Sequence, residues 1–113
     1  MLEDSRLRVF LKVAERGSFT RAAEDLGITQ PAVSQNIAEL EKQVGAVLLE
    51  RSRSRVALTE EGKVFRLFAE RILADYDRLN DVFAHYEDYR KLLVQVSELR
   101  DNPLHDLAKS LLG

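Results

Sequence analysis

The stretch "SFTRAAEDLGITQPAVSQNIAELEKQVG", from Ser18 to Gly45, predicts two helices separated by a short turn. Ser18 can cap a short first helix, and Gly27 can end it because glycine readily adopts the left-handed conformation that follows a helix. Pro31 falls after the turn "ITQP", in the first turn of the second helix, where N–H groups lack helical partners and proline sacrifices nothing. The inner stripe of that helix is Val33, Ile37, Leu40 and Val44.

The flanking sequence completes a small domain over residues 1–58. Apolar residues at helical spacing predict a helix before Gly17: Leu7, Phe10, Leu11 and Ala14. After Gly45, two short apolar runs, 47–49 and 56–58, flank a polar Ser and Arg stretch, which is the pattern of a β-hairpin. We therefore expect a mainly α domain of three helices followed by a two-stranded hairpin.

A long helix is predicted over residues 59–89, with Thr59 as its cap. Its apolar residues recur every three or four positions, close to a heptad seam. At about 1.5 Å per residue the helix would span about 45 Å, more than a small domain can cover, so we expect a second chain to bury the seam. The predicted dimer seam is Phe65, Phe68, Ile72, Tyr76, Leu79, Phe83 and Tyr86.

The tail, residues 90–113, is harder to interpret. Residues 92–96 fit either a strand or a continuation of the long helix, and "DNP" marks a break. Leu104, Leu107, Ala108 and Leu111 then predict a short amphipathic helix.

The outer ridge of the second helix of the quoted stretch carries no large apolar side chain. With about 100° per residue, the side opposite the apolar stripe holds Pro31, Gln35, Ala38 and Lys42, with Ser34 and Glu39 on its flanks. Glutamine can bind adenine through two hydrogen bonds, and serine can bind base edges or phosphate. A polar ridge on a surface helix usually meets only water. The helix–turn–helix spacing, the arginines of the hairpin and the long seam together favour DNA.

Composition constrains the class of protein. The net charge is −2, but residues 1–58 hold nine Lys or Arg against eight Asp or Glu, whereas residues 59–113 hold eight against eleven. An anion-binding surface must therefore be local, and "ERSRSRV" offers Arg51, Arg53 and Arg55. The chain has no cysteine, no secretory signal pattern and no apolar run of the roughly 18 to 20 residues that cross a bilayer. We expect a soluble, intracellular protein.

Residues 5 to about 88 resemble the N-terminal DNA-binding region of LysR-type transcriptional regulators. The matching motifs are "GSFTRAA", "TQPAVSQ", "IAELE" and "LTEEG". The resemblance implies a mainly α, winged helix–turn–helix fold in which the hairpin is the wing. It also implies a linker helix that pairs with that of another subunit, as a homodimer or higher even oligomer, and binding to pseudo-palindromic promoter DNA in the bacterial cytosol. It implies major-groove contacts from Gln30, Pro31, Ser34, Gln35 and Ala38. For phosphates and the wing we expect Ser18, Thr20, Arg21, Lys42, Arg51, Arg53, Arg55 and Thr59.

Two features depart from that family. Its members often carry arginine at the positions of Gln35 and Ala38, which are neutral here, and Glu39 adds negative charge. Its members also carry a large C-terminal effector domain, and "KLLVQV" and "PLHDLAKSLLG" lie where its first strand and helix would begin. The chain fits either a truncated form or a natural short form, and we expect no small-molecule effector pocket in it.

Other functions are less compatible with the sequence. An enzyme is disfavoured because there is no glycine-rich phosphate loop and no HExxH motif, and His85 and His105 are isolated; no metal or cofactor is expected. The alternative is a winged-helix interaction and dimerisation module without DNA binding. The neutral ridge and acidic second half favour this alternative, whereas the wing arginines count against it. The sequence does not specify the operator or whether the protein activates or represses.

Overall fold

The computed structural model describes residues 4–52, 55–99, 101 and 103–113. Within that part of the chain, helices and strands follow one another in the order α1, α2, α3, β1, β2, α4, α5, α6. The mainly α winged helix–turn–helix fold predicted from the sequence is confirmed. The bounds are α1 Asp4–Arg16, α2 Phe19–Leu26, α3 Gln30–Val44, β1 Leu49–Arg51, β2 Val56–Leu58, α4 Glu60–Ala84, α5 Tyr86–Glu98 and α6 His105–Leu112.

The turn between α2 and α3 is set by caps at both ends. The α2 C-cap, Gly27, has φ of 68°, the left-handed conformation that favours glycine. Thr29 is the N-cap of α3, and its hydroxyl accepts a hydrogen bond from the Ala32 N–H at 3.2 Å. Pro31 lies directly inside α3, where its missing N–H leaves no helical bond unmade. Thr29 therefore fixes where the second helix begins.

Two compact units divide the chain, residues 1–74 and 75–113. In the first unit, α1, α2, α3, the two strands and the beginning of α4 enclose one apolar core. Its largest fully buried side chains are Phe10, Val13, Val33, Ile37, Leu40 and Leu48. Phe65 of α4 packs edge-on against Phe10 with ring centroids 5.1 Å apart, so α4 begins as part of this core.

The wing is an antiparallel pair in which Leu49, Glu50 and Arg51 lie opposite Leu58, Ala57 and Val56. The Val56 N–H donates to the carbonyl of Gly17 at 3.2 Å, which joins the wing to the corner between α1 and α2. This hydrogen bond holds the second wing strand at the corner between the first two helices.

Thr59 joins the wing to α4. Its hydroxyl donates to the Val47 carbonyl at 2.6 Å and accepts from the Gly62 N–H at 2.9 Å, while its own N–H donates to the Leu48 carbonyl at 3.0 Å. The predicted capping role of Thr59 is therefore present. Gly62 is buried against Leu48, where the backbones approach closely.

In the second unit, the helix predicted to continue to about residue 89 ends instead at Ala84, and α5 begins at Tyr86. His85 between them has φ of −123° and ψ of 36°, outside the helical range. The phenol of Tyr89 bridges the break by donating to Asp81 at 2.8 Å. Residues 92–96 are helical, and α6 pairs with α5 and buries Ala108.

Among the helices of the described residues, none is both long enough and apolar enough to cross a membrane.

Candidate nucleic-acid interface

The outer ridge of α3 is open on the surface of the first unit. Pro31, Gln35, Ala38 and Lys42 are exposed and Ser34 is half-buried. On the opposite side of α3, Val33, Ile37 and Leu40 lie in the core, whereas Val44, predicted as the last residue of that stripe, is 39% exposed. The amphipathic pattern explains this orientation of α3, because Val33, Ile37 and Leu40 are removed from water only when that side of the helix faces the core. The first turns of α3 therefore face away from the body of the domain.

Two ridge side chains are already engaged with each other. The Gln30 amide donates to the Ser34 hydroxyl oxygen at 3.2 Å, so the Ser34 hydroxyl proton remains able to donate elsewhere. Within the described residues, the Gln35 side chain makes no hydrogen bond, and its amide offers both a donor and an acceptor. Asn36 is turned back on its own helix, donating to the Ala32 carbonyl at 2.9 Å. Gln35 is thus the ridge amide available for an external ligand.

A polar cleft lies beside the N-terminus of α2. It has a volume of about 480 Å³ and is lined by Ser18, Arg21 and Arg55 and by the end of α1, including Glu15, whose carboxylate pairs with Lys12 at 3.2 Å. Ser18 caps α2 by accepting from the Arg21 N–H at 3.2 Å, which leaves its hydroxyl proton available. Within the described part of the chain, neither Arg21 nor Arg55 has a carboxylate partner, whereas Arg16 pairs with Asp25 at 3.1 Å. The cleft can therefore attract an anion.

The remaining residues predicted to contact phosphate differ in their surroundings. Thr20 is exposed on α2. Arg51 is exposed, but its guanidinium carbon lies 4.1 Å from the centroid of the Phe19 ring. Arg53 lies outside the described residues. Thr59 is 9% exposed and its hydroxyl proton is given to Val47, so it has no side-chain proton left for a phosphate. We therefore omit Thr59 from the phosphate contacts.

The predicted seam on α4 divides into a buried start and an exposed remainder. Phe65 is partly buried against the core of its own chain, so it does not need a second chain to cover it. The other predicted seam residues are between 46% and 67% exposed: Phe68, Ile72, Tyr76, Leu79, Phe83 and Tyr86. Phe83 and Tyr86 stack with centroids 5.8 Å apart across the helix break. An apolar strip thus follows α4 beyond the core.

Glu41 is a positioning residue that the sequence did not single out. Its carboxylate accepts from the Leu48 N–H at 2.6 Å and from the Leu49 N–H at 3.4 Å, and so ties the C-terminal end of α3 to the first wing strand. The sequence feature that could have singled out Glu41 is its position directly after Leu40, on the flank of the apolar stripe of α3. The chain turns back after Gly45, and the Glu41 carboxylate accepts hydrogen bonds from N–H groups of Leu48 and Leu49 that would otherwise lack an acceptor.

Three helices around one core, a bonded wing and an open ridge on the third helix define a winged helix–turn–helix protein. Residues 5–63 match the family model for "Bacterial regulatory helix-turn-helix protein, lysR family". Because the match takes in more than half of the chain, the chain belongs to the LysR family.

Known proteins of this family give the scale of the similarity. The chain is 53% identical over 68 residues to the HTH-type transcriptional regulator BudR of Raoultella terrigena, which is 60% of this chain and 23% of BudR. The crystal structure of BenM DBD with benA site 1 DNA is 37% identical with a TM-score of 0.73, covering 76% of this chain and 97% of that one. The CbnR DBD–DNA complex is 36% identical with a TM-score of 0.73, covering 76% and 99%. The chain spans about a quarter of the length of the curated relatives it matches.

Proposed function

We propose that this chain binds double-stranded DNA in a sequence-specific manner and acts as a LysR-type transcriptional regulator in the bacterial cytosol. The observation that supports this most directly is the open ridge of α3, whose leading turns carry an unengaged amide and a hydroxyl. Relatives named as transcriptional regulators, and similar structures whose titles name DNA complexes, support the same function.

In this proposal α3 enters the major groove. An α-helix fits that groove, and there each base pair shows a distinct pattern of donors and acceptors. Gln35 would contact a base edge, and the Ser34 proton would go to a base or phosphate acceptor. Pro31 and Ala38 are small and apolar, so they allow close approach. Gln30 orients Ser34 through the bond between them.

The cleft beside α2 would hold a backbone phosphate. Ser18 offers a hydroxyl proton, Arg21 and Arg55 offer charge, and the N-terminus of α2 adds its free N–H groups. Thr20 and Lys42, both exposed, would contact neighbouring phosphates, and we keep Arg53 as a wing contact from the sequence alone. Local charge of this kind suits DNA binding even though the chain has a net charge of −2.

We also propose that two copies pair through the exposed strip of α4, from Phe68 onward. A strip of large apolar side chains that are roughly half exposed is costly in water, and a second α4 can cover it. A symmetric pair would read two half-sites, which is why we expect pseudo-palindromic promoter DNA. Residues 1–58 would then be the DNA-binding domain, 59–89 the linker and dimerisation segment, and 90–113 a tail.

The experiment that tests this function is selection of bound fragments from a pool of random duplexes, followed by binding titrations with the recovered sequences. We expect an enriched motif with two related halves and a clear preference over random duplex DNA. Uniform binding to all duplexes would contradict sequence-specific reading by α3. Absence of binding to every duplex at low salt would contradict the DNA-binding function and favour an interaction module.

A further inference from the structure

We propose that Arg51 is a positioning residue that holds the wing against α2 and does not neutralise a DNA phosphate. Its guanidinium lies over the ring of Phe19, 4.1 Å from the ring centroid. Phe19 is the first residue of α2 and is 7% exposed, so its position is fixed by the core. A planar guanidinium above a fixed aromatic face is held by cation–π attraction and by stacking.

The position of Arg51 in the wing explains why this contact matters. Arg51 is the last residue of β1 and pairs with Val56 of β2. The Val56 N–H donates to the Gly17 carbonyl at 3.2 Å. Two contacts therefore hold the wing on the short Gly17–Phe19 corner. β2 makes a backbone hydrogen bond to it, and β1 packs the Arg51 side chain against it.

These two contacts also position the wing residues that line the cleft to which we assigned a phosphate. Across the tip of the wing, both the N–H and the hydroxyl of Ser52 donate to the Arg55 carbonyl at 3.0 Å. Arg55 lines the cleft together with Ser18, which belongs to that corner, and Arg21 of α2. Arg51 therefore fixes the distance between the two sides of the cleft, while Arg55 supplies the charge inside it.

The first test compares the matched variants Arg51→Gln and Arg55→Gln in DNA titrations over a range of salt concentrations, using a 30-base-pair random-sequence duplex. This arm rests on the proposed function. Loss of one phosphate contact flattens the slope of log K against log salt by about 0.9, which we expect for Arg55→Gln. For Arg51→Gln we expect an unchanged slope and an affinity about two- to fivefold lower at every salt concentration, the size of one exposed cation–π contact. A slope flattened as much as in Arg55→Gln would overturn the proposal.

The second test needs no DNA, so it separates this proposal from the proposed function. Amide hydrogen exchange is followed at Val56, whose N–H reports whether β2 stays on the corner. Arg51→Gln should speed exchange at Val56 by about two- to fivefold, and Arg55→Gln should leave it unchanged. Phe19→Leu should speed exchange at least as much, because it removes the aromatic face and some core packing as well, and adding Arg51→Gln to it should have no further effect. Unchanged exchange in Arg51→Gln, or additive effects in the double variant, would overturn the proposal whether or not the protein binds DNA.

Discussion

Replacing Gly62 by alanine should change the free energy of unfolding through two effects of opposite sign. Gly62 lies in the first turn of α4, and its φ is not positive, so alanine brings no backbone strain there. By helix propensity alone, Gly62→Ala should stabilise the protein by up to about 1 kcal/mol. The new Cβ, however, would overlap the carbonyl oxygen of Leu48, with the carbonyl carbon at 3.0 Å and Leu58 Cδ2 at 3.2 Å.

The steric effect should win. The Leu48 carbonyl cannot move aside cheaply, because it accepts from the Thr59 N–H and its residue is buried at 1% exposure. Forcing a methyl group into a packed site costs typically about 1 to 3 kcal/mol, and more when backbone must shift. Because the Leu48 backbone must shift here, the steric cost should reach about 3 kcal/mol or more. After subtracting about 1 kcal/mol of propensity gain, we expect Gly62→Ala to lower the free energy of unfolding by about 2 kcal/mol or more.

Urea denaturation followed by circular dichroism, at one fixed protein concentration, measures this difference. Ala74→Gly, at an exposed position of the same helix, is the matched control and should cost about 1 kcal/mol through propensity alone. If Gly62→Ala instead proved as stable as the native protein or more so, the close approach of α4 to Leu48 would be wrong.

Four further outcomes follow from the described contacts. Thr59→Val removes the cap of α4 and leaves the Val47 carbonyl unpaired, so urea denaturation should show a loss of about 1 to 3 kcal/mol; no loss would contradict the buried hydroxyl. Gln35→Ala should cost about 1 to 3 kcal/mol on the selected duplex in anisotropy titrations and relax one base position, whereas an equal loss on random DNA would exclude base reading. Leu79→Asp should shift light scattering towards the monomer, and an unchanged mass would remove Leu79 from the pairing surface. The pKa of Tyr89 is raised by its hydrogen bond to Asp81 and by the negative charge of the Asp81 carboxylate. The stability that this bond contributes is therefore present below the ordinary phenol pKa and is lost as the pH rises through the raised pKa of Tyr89. An ultraviolet titration that gives Tyr89 the same pKa in Asp81→Asn as in the native protein would contradict the bond.

The parts of the fold that the sequence predicted are those set by local rules. Gly27 and Gly45 mark helix ends because they adopt positive φ, and the stripe from Val33 to Leu40 fixes which side of α3 is open. Such signals need no knowledge of distant residues. For the site, the structure shows only that the ridge is exposed as the sequence predicted, and the contacts of the predicted site residues with DNA stay a proposal.

The features that the sequence did not predict depend on contacts between residues distant in the chain, or on a choice between two structures that the same apolar pattern fits equally well. Arg51 and Phe19 are far apart in sequence, so no local pattern pairs them. Phe65 has the same spacing as the exposed seam residues, and only the position of Phe10 places it in the core. The break at His85 has no proline or glycine to announce it, and the apolar period continues through it.

The hydrogen bond between Gln30 and Ser34 has an evolutionary consequence. In the proposed interface the two positions would act as a single unit of recognition, because the Gln30 amide donates to the Ser34 hydroxyl and a change at Gln30 alone would free Ser34 to turn. Under that proposal, descendants of this protein that acquire a new operator preference should alter both positions together, and intermediates changed at one of them should bind old and new operators poorly.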